Sequence, residues 1–178
     1  MIHHGRAMIH MASLNSTSTL SSFEDDQVQP NAIDVKLKQV RSIDDNPFTI
    51  SEEGKIHRGS TIVTPEKDGF WRLENGTYEV VMEGEVTIGP DEAGFIITRS
   101  TLNRNGLFLT SGLYDSGYSG VMAGALHVSC GVARIAKSTR IGQFLLFKAE
   151  SLNQYEGSYG SGSEHDQLYK NNEQMELI

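Results

Sequence analysis

The segment Thr98–Thr101 brings one guanidinium and three hydroxyl groups together at the end of an apolar stretch. Arginine pairs with phosphate through several N–H donors, and hydroxyl groups can donate to the remaining phosphate oxygens. Arg99, Ser100 and Thr101 are therefore candidates for holding a phosphate group. Taken alone, the segment is also typical of an ordinary strand end, and that interpretation is favoured for any single motif.

Two further segments combine glycine with reactive or aromatic side chains. Gly112–Gly120 contains Asp115, whose carboxylate could orient a water molecule, and Tyr118, whose ring could stack on a sugar or a base. Gly157–Ser163 contains Tyr159 among glycine and serine residues. Flexible segments of this kind can close over a ligand and bind phosphate through backbone N–H groups. A hairpin turn and a linker are their purely structural interpretations.

Short strands must position these groups. Ile33–Lys38 alternates strictly between apolar and polar residues, which predicts a half-buried strand. Asn75-Gly76 predicts a tight hairpin turn, and a short helix is predicted around Leu102. Further strands are predicted at 78–82, 85–88, 94–98, 121–128 and 144–147, all between turn-forming residues. Many short strands, eighteen glycines and no long amphipathic helix favour an all-β barrel or jelly roll.

The chain divides by composition into four parts. Residues 1–13 are predicted to be an expression remainder, and the polar residues 14–27 a flexible lead-in. Residues 28–154 form the predicted β domain. Residues 155–178 are predicted to be a mobile C-terminal arm that carries the glycine-rich segment.

Charge and composition limit the partners. A net charge of −8 argues against a nucleic-acid-binding surface, although a few arginines can still hold a small anion. The sequence contains no apolar run of membrane-spanning length and no signal-peptide pattern. The single cysteine, Cys130, excludes an internal disulfide and is typical of a reducing compartment. A cytoplasmic location is expected, in the host cell if a virus encodes the chain.

Five segments in order resemble the five motifs of the dUTPase / dCTP deaminase superfamily. They are Gln29–Val35, Arg99–Leu102, Leu113–Gly120, Arg140–Gln143 and Gly157–Gly162. Each match is weak alone, but the collinear series over about residues 28–163 is specific. The resemblance implies a distorted jelly roll, the dUTPase-like β-clip, that forms a homotrimer with active sites shared between subunits. It also implies Mg²⁺ held mainly by the triphosphate of a deoxynucleotide, with Asp34 as a further ligand, directly or through water.

The same resemblance implies a role for each candidate residue. Asp115 would orient the attacking water, Tyr118 would stack on the deoxyribose and exclude a 2′-hydroxyl, and Tyr159 would cover the base. The remaining substrate-binding candidates, mostly for phosphate, are Arg99, Ser100, Thr101, Arg104, Gly112, Arg140, Gln143, Gly160 and Ser161.

The two branches of the superfamily differ in one acid. Members that deaminate dCTP use a glutamate on the strand after the third motif, and that position falls on Ala125 here, which cannot transfer a proton. The sequence therefore favours hydrolysis of dUTP to dUMP and pyrophosphate. His127, two residues later, is interpreted as a structural histidine rather than a proton shuttle.

Other features favour the deaminase branch and leave the base open. Gln29–Val35, Arg104 and the glycine in Arg140–Gln143 are deaminase-like, and Gly106–Asp115 is about two residues shorter than either branch has. In the superfamily, the corresponding stretch builds the hairpin whose backbone recognises the edge of the pyrimidine base. The alternatives are a dCTP deaminase with a relocated acid, a pyrophosphatase for another base, and a catalytically silent nucleotide-sensing or regulatory trimer.

Overall fold

A computed structural model describes residues 16–171, so the predicted remainder at 1–13 lies outside the described residues. The described part is all-β, as expected, with twelve strands and two helices, Ser100–Asn103 and Glu164–Asn171. A 3₁₀ turn spans Asp25–Gln27. The strands are β1 Thr19–Leu20, β2 Ile33–Ile43, β3 Thr49–Ser51, β4 Gly54–Ile56, β5 Ser60–Ile62, β6 Phe70–Leu73, β7 Gly76–Thr87, β8 Glu92–Thr98, β9 Leu107–Ser111, β10 Ser119–Val128, β11 Ala133–Ala136 and β12 Arg140–Lys148.

Six of these strands close into a barrel-like ring. The main sheet has the order β1-β7-β10-β9-β8-β12-β2-β5, and an additional pairing between β7 and β2 joins its two sides. All its pairings are antiparallel. Closure satisfies the backbone donors and acceptors that an open sheet would leave at its edges. In this order β12 lies between β8 and β2, so the end of β8, the start of β12 and the start of β2 lie side by side.

The strand β2 shows how the sequence pattern becomes a buried face. Ile33, Val35 and Leu37 are buried and pack in the main core, as the sequence predicts, but the polar residue Asp34 between them is fully buried as well. The register against β7 then shifts between Leu37 and Gln39, so the next core residue is Val40 rather than position 39. This β-bulge turns Arg41 to the outer face of the ring.

Three features differ from the sequence predictions. Asn75-Gly76 joins strands of different sheets, because β6 pairs with β11 while β7 pairs with β1, β2 and β10, so the predicted hairpin is wrong. Local turn chemistry does not determine which strands pair. The polar lead-in packs on the sheet from Ser16 onwards, because Ser18 Oγ donates to Glu92 and β1 pairs with β7. The arm contains a helix that the sequence analysis did not predict, Glu164–Asn171.

No helix in residues 16–171 has the length and apolar character needed to cross a membrane.

Candidate active site

A buried cluster joins the first, second and fourth motifs. Asp34 on β2 is fully buried, and its Oδ1 accepts a hydrogen bond of 3.1 Å from Gln143 Nε2. Its Oδ2 lies 3.3 Å from Arg99 Nε and 3.8 Å from Arg140 Nη1. The register of β12 against β2 pairs Gln143 with Asp34, so strand pairing fixes the contact. The enclosed carboxylate holds both guanidinium groups in place.

Both arginines keep part of their side chains in solvent. Arg99 Nη1 donates to the backbone oxygen of Arg140 at 3.2 Å, and its side chain is 33% exposed. Arg140 donates to the backbone oxygen of Asp26 at 2.9 Å and forms an ion pair with the Asp26 carboxylate. A phosphate that reached Arg140 would therefore compete with Asp26, whereas Arg99 has no such partner among the described acids other than buried Asp34.

The hydroxyl groups of the second motif are exposed on the short helix that follows Arg99. Ser100 and Thr101 form its first turn, and Arg104 is exposed at its C-terminal end. The backbone of Arg99 is extended at the point where the helix begins. These three side chains thus lie next to Arg99 along the chain, on a surface open to a ligand.

The third motif forms a tight turn. Tyr118 N donates to Asp115 O at 3.0 Å, and Gly117 has φ +84°, the value that the third position of a type II turn requires. The turn buries Tyr118, whose hydroxyl donates to Val121 O at 2.7 Å. Burial, and then the charge of Asp166, raise the pKa of Tyr118, so its ring is a neutral apolar surface.

A cavity of about 620 Å³ lies between this motif and the C-terminal arm. Gly112, Tyr118 and Tyr159 line it, so the structure brings together three of the predicted substrate-binding residues. A Cβ added at Gly112 would meet open space, which leaves the backbone there accessible to a ligand. Ala125, at the position of the deaminase glutamate, lines the same cavity.

The arm docks on the third motif through its glycines. A Cβ added at Gly120 would lie 2.7 Å from the Cα of Gly160, and one added at Gly160 would lie 2.7 Å from the oxygen of Ser119. Ser161 N donates to the same oxygen at 2.6 Å. The two backbones therefore approach more closely than any larger residue permits.

The predicted catalytic residue lies beside this cavity rather than in it. Asp115 is exposed and lines a second cavity together with residues 149–156. Leu113 and Tyr155 line both cavities and form the wall between them. Neither cavity is lined by Arg99 or its neighbours in the buried cluster. In one chain, the predicted residues thus occupy three separate locations.

Glu79 is a carboxylate that the sequence analysis missed. It lies on β7, lines the first cavity, and its register partner on β10 is Ala125. Arg41 is its register partner on β2, with Arg41 Nε 3.4 Å from Glu79 Oε2. Glu79 is one of three glutamates on β7, and nothing in the sequence pattern distinguishes it from Glu83 and Glu85, because its position depends on a strand pairing that sequence patterns do not give.

His127 has the structural role favoured by the sequence. Its Nδ1 lies 3.1 Å from Thr77 Oγ1, and its Nε2 lies 3.4 Å from Thr110 Oγ1. Both ring nitrogens therefore have hydroxyl partners on the neighbouring strands.

Magnesium is predicted to be held mainly by the substrate, with Asp34 as a further ligand. In residues 16–171, no three His, Cys, Asp or Glu side chains are grouped so that they could hold a metal ion. Asp34 Oδ2 is buried without a hydrogen bond, but two guanidinium groups already face it. Mg²⁺ in nucleotide enzymes commonly takes phosphate oxygens, waters and one or two carboxylates. The residues present fit such a substrate-borne ion.

Comparisons with known proteins identify a matching family and several relatives. The family model described as dCTP deaminase-like matches residues 2–149. A probable deoxyuridine 5′-triphosphate nucleotidohydrolase of Halobacterium salinarum is 33% identical over 140 residues, which cover 76% of this chain and 84% of the relative. The deoxyuridine 5′-triphosphate nucleotidohydrolase of Methanocaldococcus jannaschii is 29% identical over 147 residues, covering 81% and 94%.

The fold is also similar to a solved structure. The 2′-deoxycytidine 5′-triphosphate deaminase from Agrobacterium tumefaciens matches with a TM-score of 0.59 at 16% identity. The match covers 95% of this chain and 52% of that protein. At this identity the likeness concerns the fold alone.

Proposed function

We propose that this chain, which belongs to the dCTP deaminase-like family, hydrolyses dUTP to dUMP and pyrophosphate. The observation that carries the proposal is a pair of residues. Asp115 stands where the hydrolases of the superfamily have their catalytic aspartate, and Ala125 stands in the cavity where the deaminases have their glutamate. The archaeal relatives named as nucleotidohydrolases support the same activity.

The proposed binding mode assigns the base to the first cavity. Its walls are mainly apolar or aromatic, and the buried ring of Tyr118 lines it, as a contact for a deoxyribose requires. Tyr159 lies at the cavity on the arm side, in position to cover the base. The triphosphate then extends toward Arg99, which is held by Asp34 and whose side chain is 33% exposed.

The proposed chemical step is attack by water on the α-phosphorus. Asp115 orients the water and accepts its proton, while the bond between the α- and β-phosphates breaks and pyrophosphate leaves. Magnesium, when bound to the triphosphate, neutralises part of its charge. Arg99, Arg140 and Gln143 stabilise the remaining negative charge as the leaving group forms.

A homotrimer with shared sites is part of the proposal. Asp115 lines the second cavity and Arg99 lines neither of the two described cavities, so these two residues are not brought together there within one chain. A second copy that contributed its arginine cluster would complete the predicted site. Tyr155 of the arm lines both cavities. Movement of the arm would therefore open a passage between the two cavities.

Deamination of dCTP is the second candidate. Glu79 favours it, because this carboxylate faces the same cavity from the strand next to Ala125. Both of its oxygens accept hydrogen bonds in the structure, from Ser60 and Tyr169. Hydrolysis remains the first candidate, because the archaeal relatives are named as nucleotidohydrolases and Ala125 stands where the deaminases have their glutamate.

Product analysis separates the two activities. The protein is incubated with Mg²⁺ and dUTP, dCTP, dTTP or dATP, and the products are resolved by anion-exchange chromatography. We expect dUMP and pyrophosphate from dUTP, with the other three nucleotides unchanged. Conversion of dCTP to dUTP or dUMP would replace the proposal with a deaminase, and no turnover of any nucleotide would refute both.

A further inference from the structure

Glu79 is a mostly buried carboxylate in the wall of the first cavity. Its side chain is 18% exposed, and strand register places it between Arg41 on β2 and Ala125 on β10. Residues paired directly across an antiparallel sheet point to the same face. The outer face at this point therefore presents a cation, a carboxylate and a small residue in a row. The small residue leaves space in front of the carboxylate.

One oxygen of Glu79 is fixed from within the protein. Ser60 Oγ donates to Oε2 at 2.5 Å, and Arg41 Nε lies 3.4 Å from the same oxygen. Arg41 is buried and is held in turn by the Ser60 oxygen at 2.7 Å and by Gln39 Oε1 at 3.2 Å. These contacts fix the orientation of the carboxylate, which is the property that a recognition group needs.

The other oxygen accepts its hydrogen bond from the arm. Tyr169, on the C-terminal helix, donates its hydroxyl to Glu79 Oε1. Burial, and then the bond to Glu79, raise the pKa of Tyr169, so the phenol remains a donor. His165 Nε2 of the same helix lies 3.9 Å from Oε1. Tyr169 and His165 both lie on the C-terminal arm, and the proposed function requires that arm to move.

We propose that Glu79 determines base specificity, with Oε1 accepting the N3–H of uracil where the hydroxyl of Tyr169 donates in the structure. This inference rests on the proposed function. A carboxylate offers only acceptors, so it selects a base edge that presents an N–H donor. It also repels phosphate, which assigns the base rather than the triphosphate to this end of the cavity.

A base without the matching N–H donor should bind much more weakly at such a site. A buried acceptor that loses its donor keeps its desolvation cost, so sites that hydrogen-bond a ligand discriminate strongly against ligands without the matching group. Cytosine presents an unprotonated N3 on its corresponding edge, which would face the carboxylate without a donor. Its amino group is the only N–H that it could offer to Oε1.

The test compares Glu79→Gln, Tyr169→Phe and the wild-type protein. Glu83→Gln is the matched control, because Glu83 lies on the same strand and outside both cavities. Binding of the imido analogues of dUTP and dCTP is measured by calorimetry, and KM and kcat are measured with dUTP. We expect Glu79→Gln to raise Kd and KM for the uracil nucleotide about tenfold or more, with a smaller change in kcat.

Tyr169→Phe tests the same idea without altering the carboxylate. Removing the competing hydroxyl should lower the Kd of the dUTP analogue, whereas a purely structural role for Tyr169 predicts no such tightening. The Tyr169→Phe variant also provides a test if the Glu79→Gln protein does not fold. Unchanged nucleotide affinity in both variants would overturn the inference, and so would a loss confined to the cytosine analogue.

The two proposals fail in different ways. If wild-type protein hydrolyses dUTP and Glu79→Gln has the same KM, the specificity role is refuted and the hydrolase assignment stands. If Glu79→Gln weakens uracil binding but wild-type protein hydrolyses no nucleotide, the specificity role stands and the hydrolase assignment is refuted.

Discussion

Asp34 is better placed to hold two cations of the protein than to hold a free metal ion. Its carboxylate is fully buried between Gln143, Arg99 and Arg140. A divalent ion at Oδ2 would have to displace guanidinium groups that already neutralise the carboxylate. We therefore infer that Asp34 positions the phosphate-binding arginines, and that Mg²⁺ is bound through the triphosphate rather than directly by Asp34.

Replacing Asp115 by asparagine should stop catalysis and preserve binding. Asparagine keeps the size and the exposed position of the side chain but cannot accept the proton of the attacking water. We expect kcat for dUTP to fall by about 10²- to 10⁴-fold. The Kd for the imido analogue of dUTP should stay close to that of the wild-type protein.

Asp45→Asn is the matched control for this substitution, because Asp45 is an exposed aspartate that lines neither cavity. Full activity in the Asp115 variant would show that another group orients the water.

Glu92 links the lead-in to the sheet and makes stability depend on pH. Burial opposes ionisation, but hydrogen bonds from Ser18, Lys148 and Ser16 lower the pKa of Glu92 below its ordinary 4.5. A lowered pKa contributes stability that is complete above the ordinary value and is lost as the pH falls through the folded-state pKa. Glu92→Gln should therefore reduce the free energy of unfolding by about 2 kcal/mol at pH 7.

The difference between wild-type and Glu92→Gln proteins should shrink as the pH is lowered from 7 to 3 in urea unfolding experiments. A difference that stays constant over this range would mean that the charge of Glu92 does not contribute.

At the scale of elements, the sequence located five of the twelve described strands, β2, β7, β8, β10 and β12, gave β7 as two separate segments, and did not give the strand partners. Ile33–Lys38 could be identified because alternation reports directly which side chains face the core. The bulge after Leu37 and the pairing of β7 with three other strands depend on contacts between distant segments. The same limit explains Asn75-Gly76, whose local turn signal carries no information on which strands it connects.

In the candidate site, residues in local motifs could be predicted, whereas a residue placed by strand pairing could not. Motifs located Asp115, Tyr118, Tyr159 and Arg99 because each stands in a recognisable local pattern. Glu79 stands in no motif, and its place opposite Ala125 follows from strand register alone. Residues that act through tertiary pairing need the fold before they can be found.

Adding one methyl group at Gly160 should release the arm from the third motif. In Gly160→Ala, the added Cβ would lie 2.7 Å from the oxygen of Ser119, and φ +111° is strained for alanine. We expect kcat for dUTP to fall about tenfold, the effect of roughly 1.4 kcal/mol of lost docking energy. Limited proteolysis should cleave the arm faster than in the wild-type protein, while the melting temperature of the domain changes little.

Ser158→Ala, an exposed change in the same arm, should behave like wild type, and a chain ending at Gln154 gives the fully released reference. Unaltered cleavage and turnover in Gly160→Ala would show that this contact does not hold the arm.

At the scale of the whole molecule, the separation of Arg99 from Asp115 predicts complementation between subunits. Arg99→Ala and Asp115→Asn proteins should each be inactive, since each removes one part of every site. Unfolded together in equal amounts and refolded, the whole population of trimers should recover about a quarter of wild-type turnover if each site takes the two residues from different chains. Sedimentation measurements on the mixture establish that trimers have formed.

Separately refolded variants, combined only in the assay, provide the control for this experiment. No recovery in verified mixed trimers would mean that each site takes both residues from one chain.

The Gly120–Gly160 contact has a consequence for how copies of the chain can exchange parts. It is made by main-chain atoms, so nothing in it distinguishes the hairpin of one chain from that of an identical neighbour. Docking within a chain and docking between chains would use the same atoms, and only the path of residues 149–157 would differ. Such an element can be swapped between protomers at little cost. Protein concentration during folding, rather than sequence, would then set how many arms are exchanged.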